Sequence, residues 1–115
     1  MMIKRYEGTG RMSRVVEYNE ILYLSGVTDG NSKDVEAQTE GVLKKIDDLL
    51  QKYGSDKKHI LSITIYLSDI SYFDNMNKIW DSWVIEGCEP ARATVEAKLA
   101  REHLLVEMKV VAVKA

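Results

Sequence analysis

Two residues of this chain join useful chemistry to a position that could exploit it: Arg92, in the run Ala91 to Ala97, and Glu107, inside Leu104 to Val113. Arginine presents a planar fork of donors that fits a carboxylate through two parallel hydrogen bonds, and partial loss of water strengthens the fit. Glu107 could take a proton from a water or hold that water in place. Each has a plain alternative. Arg92 could pair with Glu107, Glu96 or a neighbouring subunit, and Glu107 could pair with Lys109 or Arg92. Residue types alone leave both open. Asn77, four residues after Phe73 and three before Trp80, edges an apolar stripe where its amide either caps the core or meets a ligand. The other reactive types are poorly placed. His59 and His103 neighbour no nucleophile, and Cys88 sits in a Gly/Pro turn with no cation beside it in sequence to activate the thiol. One cysteine and two scattered histidines give no zinc spacing, so the sequence argues against a transition-metal site.

These side chains need a scaffold, and the hydrophobic pattern supplies one. Ile3 to Glu7 reads as a short strand. Met12 to Tyr18 and Ile21 to Val27 read as a hairpin joined at Asn19-Glu20. A two-residue loop sets Tyr18 opposite Ile21, Val16 opposite Tyr23 and Arg14 opposite Ser25, which puts Met12, Arg14, Tyr23 and Ser25 on one face. Thr28 to Ser32 is turn-forming. Val35, Thr39, Val42, Leu43, Ile46, Leu49, Leu50 and Tyr53 then recur at helical steps, with Asp34 and Glu36 suited to the start and Gly54 to the end. Ile60 to Leu67 alternates as a strand, with Leu61, Ile63, Ile65 and Leu67 on one side and Ile60, Ser62, Thr64 and Tyr66 on the other. Ser71 and Asp74 form the pattern of a capping box ahead of a second helical stripe, Phe73, Met76, Trp80, Trp83 and Val84. Glu86 to Pro90 ends that helix. Ala91 to Ala97 and Leu104 to Val113 are the last strands, with a helical or irregular Lys98 to His103 between them.

Six strands and two helices in the order β-β-β-α-β-α-β-β make an α+β domain spanning residues 1–115, and two adjacent helices can cover only one sheet face. The last strand shows what happens to the other. Leu104, Val106, Met108, Val110 and Ala112 form an apolar row for the helices, yet the opposite row, Leu105, Glu107, Lys109, Val111 and Val113, is apolar at three of its five positions. A half-exposed strand normally alternates more cleanly. The excess implies an association surface and hence a homo-oligomer. In Arg92 to Ala97 the small apolar Ala93, Val95 and Ala97 suit the helix side. On that parity Arg92, Thr94 and Glu96 face away, on the same sheet face as Glu107.

Composition narrows the partners. Apolar residues make up 45% and charged residues 30% of the 115, as in a packed globular protein. A net charge of −2 and a pI of about 5.7 exert no long-range pull on phosphate backbones, which argues against nucleic acid. No apolar run approaches the roughly 18–20 residues of a membrane helix. Met1 to Gly10 has no signal-peptide core, so the cytoplasm is the expected location.

At this point particular motifs resemble a known family. Leu24-Ser25-Gly26, Ile63-Thr64-Ile65-Tyr66-Leu67-Ser68-Asp69, the helix from Phe73 to Trp83, Pro90-Ala91-Arg92-Ala93-Thr94-Val95-Glu96 and Val106-Glu107-Met108-Lys109 come in the order seen in the RidA family, also called YjgF/YER057c/UK114, over almost the whole chain. The resemblance implies a chorismate-mutase-like fold: a mixed six-stranded sheet with two helices on one face, assembled as a homotrimer with clefts between subunits. It also implies hydrolysis of reactive 2-imino acids to 2-keto acids and ammonia, without a cofactor. Arg92 would clamp the substrate carboxylate, Glu107 would orient or activate the attacking water, and Ser25, Gly26 and Asn77 would line the cleft, its shape also depending on Met12, Arg14 and Trp80. Two positions depart from the best-studied members, with Met12 in place of an active-site Tyr and Thr94 in place of a Cys. With Arg11-Met12-Ser13 and Trp80-Asp81-Ser82-Trp83, they resemble a divergent bacterial subgroup. A non-catalytic trimer that captures small carboxylate metabolites is the competing reading. The ribonuclease or translation-inhibitor activity sometimes attached to the family fits poorly with the acidic balance and with the lack of interleaved aromatic and basic residues.

Overall fold

Asn19 and Glu20 both take positive φ, 55° and 66°, the backbone of the tight turn whose twist suits a two-residue hairpin. In the structure, a computed structural model that describes residues 2–115, this turn joins β2 (Ser13–Tyr18) to β3 (Ile21–Leu24). Tyr18 faces Ile21 and Val16 faces Tyr23, the register that the loop length demands. β1 (Lys4–Gly8) adds to the free edge of β2. Met12 falls outside the strand. It sits in a turn where the Thr9 hydroxyl accepts from the backbone N–H groups of Arg11 and Met12, so it does not share the strand face of Arg14.

The expected third strand is two pieces. β4 (Val27–Thr28) follows β3 after Ser25-Gly26 and pairs only with the last strand, β7 (Val106–Val113). Tyr23 faces Val111 and Val27 faces Met108, so residues 24 to 26 stand against 109 and 110 alone. One extra residue on one side is a β-bulge, and it bends the strand at Ser25-Gly26. With β5 (Ile60–Leu67) and β6 (Ala91–Glu96) the order is β1-β2-β3-β7-β5-β6, six strands deep, with β4 as a seventh fragment beside β7. Only β5 and β6 run parallel, so the sheet is mixed.

A second bulge corrects the expected faces of β5. Ile60 pairs with Ala112 and Ser62 with Val111, which leaves Leu61 unpaired and 49% exposed while Ile60 turns into the core. Beyond the bulge the alternation holds, with Ile63, Ile65 and Leu67 buried.

α1 (Val35–Lys52) begins where the Asp34 carboxylate accepts from the Glu36 N–H at 2.8 Å, and Gly54 follows its end at φ 86°. α2 (Phe73–Trp83) starts differently from the expectation. Asp69 caps a short 3₁₀ turn at Ser71, and α2 grows out of that turn with no Ser71–Asp74 capping box. Both helices lie on one sheet face, where Val42, Ile46, Leu50 and Met76 meet Leu22, Ile63, Ile65 and Val110 in a sealed core. Each such side chain contributes about 1.5–3 kcal/mol by leaving water. Glu17 joins this face. It accepts from the Tyr6 hydroxyl at 2.9 Å and from Lys114 at 3.3 Å, and these bonds, Tyr6 first, hold its carboxyl below the usual range. Among the described residues no layer covers the opposite face, where Tyr23, Leu61 and Val95 are exposed and Val111 and Val113 half-buried. Among the described residues no helix is long and apolar enough to cross a membrane.

Candidate functional site

The parallel ladder between β5 and β6 fixes where Arg92 points. Arg92 stands opposite Ile63 and Thr94 opposite Ile65, and ladder partners share a face, so both lie on the helix side of the sheet. This overturns the expected parity, which placed Arg92, Thr94 and Glu96 on the open face with Glu107. The physical reason is that β6 is the edge strand. There a long amphipathic side chain can lie along the flank of α2, and the small apolar Ala93 and Val95 are left outside.

The guanidinium meets one stripe of α2. Its Nη1 donates to Asn77 Oδ1 at 2.8 Å, and its Cζ lies 5.0 Å from the ring centroid of Trp80 and 5.7 Å from that of Phe73. Phe73, Asn77 and Trp80, at steps of four and three, share one helix face by spacing alone. Burial lowers the guanidinium's pKa, with nearby Asp81 opposing the shift, and arginine stays charged at neutral pH regardless. Thr94, two residues along the same strand face, has a buried Oγ1 without a hydrogen-bond partner. Neither proposed intrachain ion pair of Arg92 forms: none of the ion pairs among the described residues includes it, and Glu96 instead accepts from the Ile70 N–H at 2.9 Å.

Glu107 belongs to the other face, opposite Tyr66 on β5 and Thr28 on β4. Its carboxylate lies against Gly26: a Cβ there would overlap Oε2 and stand 2.8 Å from Cδ. The residue after Ser25 must therefore be glycine if Glu107 is to keep this position. Lys109, on the same face, does not pair with Glu107. Its ammonium donates to the Leu24 carbonyl at 2.6 Å, inside the bulge, and burial lowers its pKa. Glu107 is thus a carboxylate without an ion-pair partner among the described residues.

Beside the bulge opens a cleft of about 420 Å³, bordered by Ser25, Gly26 and Arg14 together with Glu7, Lys45 and Lys52. The candidate residues thus fall into two groups. Ser25, Gly26, Arg14 and Glu107 gather at the β3–β4 break, while Arg92, Asn77, Thr94 and Trp80 gather at the β6 edge. Met12 joins neither and is 46% exposed. Trp80 is almost fully buried, offering one face to Arg92 rather than a surface to solvent. Phe73 was missed as a partner of the guanidinium, although its four-residue spacing from Asn77 carried the signal. Since Arg92 and Glu107 occupy opposite sheet faces, one chain does not bring them together.

The family model described as endoribonuclease L-PSP matches residues 2–114. The RutC family protein YoaB of Escherichia coli strain K12 is 44% identical over 112 residues, which span 97% of this chain and 98% of that one. Among solved structures, a member of the YjgF protein family from Neisseria meningitidis superposes with a TM-score of 0.97 at 44% identity, covering 100% of this chain and 97% of its own. A protein of the conserved Rid family from Yersinia pestis does so with a TM-score of 0.83 at 34% identity, covering 92% and 90%. Sequence and backbone agree over the same span, and the chain belongs to the RutC/YjgF family, the RidA family that its motifs resembled.

Proposed function

We propose that this protein hydrolyses 2-imino acids to 2-keto acids and ammonia, in clefts that the Arg92 group of one copy and the Glu107 group of the next complete within a homotrimer. The observation that carries the reading is Arg92 itself: a half-buried, braced guanidinium that takes part in no ion pair among the described residues, at an open sheet edge. A partly desolvated cation outside any ion pair pays for its lost water, and a ligand carboxylate offsets that loss. The exposed apolar face of the sheet supports the assembly, since a second copy would cover Tyr23, Val95 and Val111.

The chemistry asks little of the protein. A protonated imine is already electrophilic, so the site has only to hold the carboxylate, place a water and move a proton. Glu107 takes a proton as the water oxygen attacks C2. It returns that proton to the amine nitrogen, and the carbinolamine collapses as its C2–N bond breaks and its hydroxyl proton passes to Glu107, leaving the 2-keto acid and ammonia, with the proton that the imine brought released from Glu107 to water. Asn77, Phe73 and Trp80 position Arg92.

In the test, the purified protein is added to a threonine dehydratase reaction while imine decay and ammonia release are followed. Both should accelerate, and Arg92→Ala should abolish the acceleration. No acceleration by correctly assembled protein would overturn the proposal. A second reading, capture of 2-keto acids without turnover, is favoured by Met12, whose exposed thioether cannot move a proton where the best-studied members of the family carry a Tyr. Calorimetric binding lost in Arg92→Ala, with no turnover in wild type, would decide for it.

A further inference from the structure

The cleft beside Ser25 and Gly26 is charged beyond what a single carboxylate needs. Its border carries three cations, Arg14, Lys45 and Lys52, and two carboxylates, Glu7 and Asp48. Glu7 is already satisfied. The Tyr53 hydroxyl donates to it at 2.5 Å and Lys52 at 3.1 Å, and these contacts, Tyr53 first, with Arg14 farther off, draw its carboxyl below the usual range. Asp48 is engaged from outside the cleft by Lys44 at 3.4 Å. Lys45 donates to the Thr28 carbonyl at 2.8 Å and reaches Asp29 only at 3.9 Å. Arg14 takes part in no ion pair among the described residues. Once the internal pairs are made, Arg14 and Lys45 remain as donors facing the same space.

The position of that space matters. β4 pairs with β7 alone, so no second strand pairs with Val27–Thr28 where the cleft opens. Gly26 belongs to both neighbourhoods, bordering the cleft while leaving room for the Glu107 carboxylate. The cleft and the Glu107 carboxylate therefore adjoin across the Gly26 backbone, with Glu107 itself outside the cleft's border. At about 420 Å³ the cleft is of small-molecule size, larger than a methyl or ethyl side chain requires.

We infer that the substrate carries a second acidic group, a 2-imino dicarboxylate whose side-chain carboxylate is taken by Arg14 and Lys45. The inference rests on the reading of the site proposed above, in which the first carboxylate goes to Arg92 of a neighbouring copy. Arg14 can hold the second through its fork of donors, and Lys45 can swing to it because its present partners are a carbonyl and a distant carboxylate.

Calorimetric titration with two stable 2-keto acids separates the two ideas: 2-oxobutanoate, with one carboxylate, and 2-oxoglutarate, with two. Wild-type protein at low salt should bind the dicarboxylate about tenfold more tightly, as expected of a charge-assisted contact at a partly screened site. Arg14→Gln and Lys45→Gln should each shrink that ratio several-fold, as should 0.5 M sodium chloride in the buffer, which shortens the screening length to about 4 Å. Arg92→Ala should weaken both ligands alike. Equal affinity for the two in wild type, with both still lost in Arg92→Ala, would overturn the second-carboxylate inference and leave the site standing. A dicarboxylate preference untouched by either Arg14→Gln or Lys45→Gln would also overturn it. Both ligands bound undiminished by Arg92→Ala would instead remove the site on which the inference rests.

Discussion

The two halves of the candidate site are built in opposite ways. At the β6 edge the functional group is braced: Arg92 is hydrogen-bonded by Asn77, lies beside two aromatic rings and is partly stripped of water. At the β3–β4 break the functional group is given space instead. Glu107 rests against a glycine, and its nearest cation along the strand, Lys109, is tied to a backbone carbonyl. A cation held rigid without an anion and a carboxylate accommodated without a cation are complementary. They lie on opposite faces of one sheet, so in the proposed assembly the complement of each belongs to another copy.

That comparison can be broken most directly by mixing two inactive variants. Arg92→Ala and Glu107→Ala proteins should each be inactive alone, because every cleft lacks one half. Unfolded together in equal amounts and refolded, they should regain activity in about one quarter of the clefts, the fraction pairing an intact Arg92 from one subunit with an intact Glu107 from the next in a closed ring. Activity near zero in the mixture, with mixed oligomers present by native mass spectrometry, would mean that both halves must come from one chain.

The Glu107 half can be disturbed without touching its carboxylate. Gly26→Ala sets a methyl group where Oε2 now lies, and the side chain can swing away at little cost because it is long and on the uncovered face. Stability should change by less than about 1 kcal/mol. Turnover should nevertheless fall about 10- to 100-fold, since a displacement of about 1 Å is enough to spoil alignment. Thermal unfolding and kinetics on the same sample check both parts, and a large loss of stability at unchanged turnover would contradict the account of Gly26.

The two halves also differed in how legible they were. The hairpin, both helices and the buried row of β7 follow from periodicity and turn chemistry, because a one-residue slip there would exchange core for solvent. Bulges leave no such trace. Leu61 and Ile60 are equally apolar, so nothing in their types says which is extra, and the break at Ser25-Gly26 shows only once β7 is paired on both sides of it. The Arg92 half was misplaced for a related reason. Ala93 and Val95 suit a core by composition, but on an edge strand the ladder to β5 decides, and it turns Arg92 toward α2. Asn77 and Trp80 nonetheless stand together beside Arg92, since their helical spacing survives any error about the sheet.

The bracing of Arg92 is the gentlest point at which to press. Phe73 is 38% exposed and touches the guanidinium only through its ring, at 5.7 Å, so Phe73→Leu removes the π face while keeping an apolar side chain of similar reach. A cation–π contact of this kind is worth about 0.5–1 kcal/mol. Binding of a 2-keto acid should weaken about two- to fivefold, with the larger Trp80 contact and the Asn77 hydrogen bond still holding the group. If the loss comes from a less ordered Arg92 rather than from direct contact with the ligand, it should be the same for ligands with different side chains. Side-chain-dependent losses in calorimetry would mean that Phe73 touches the ligand itself, and the β6 half would then be a contact surface as well as a brace.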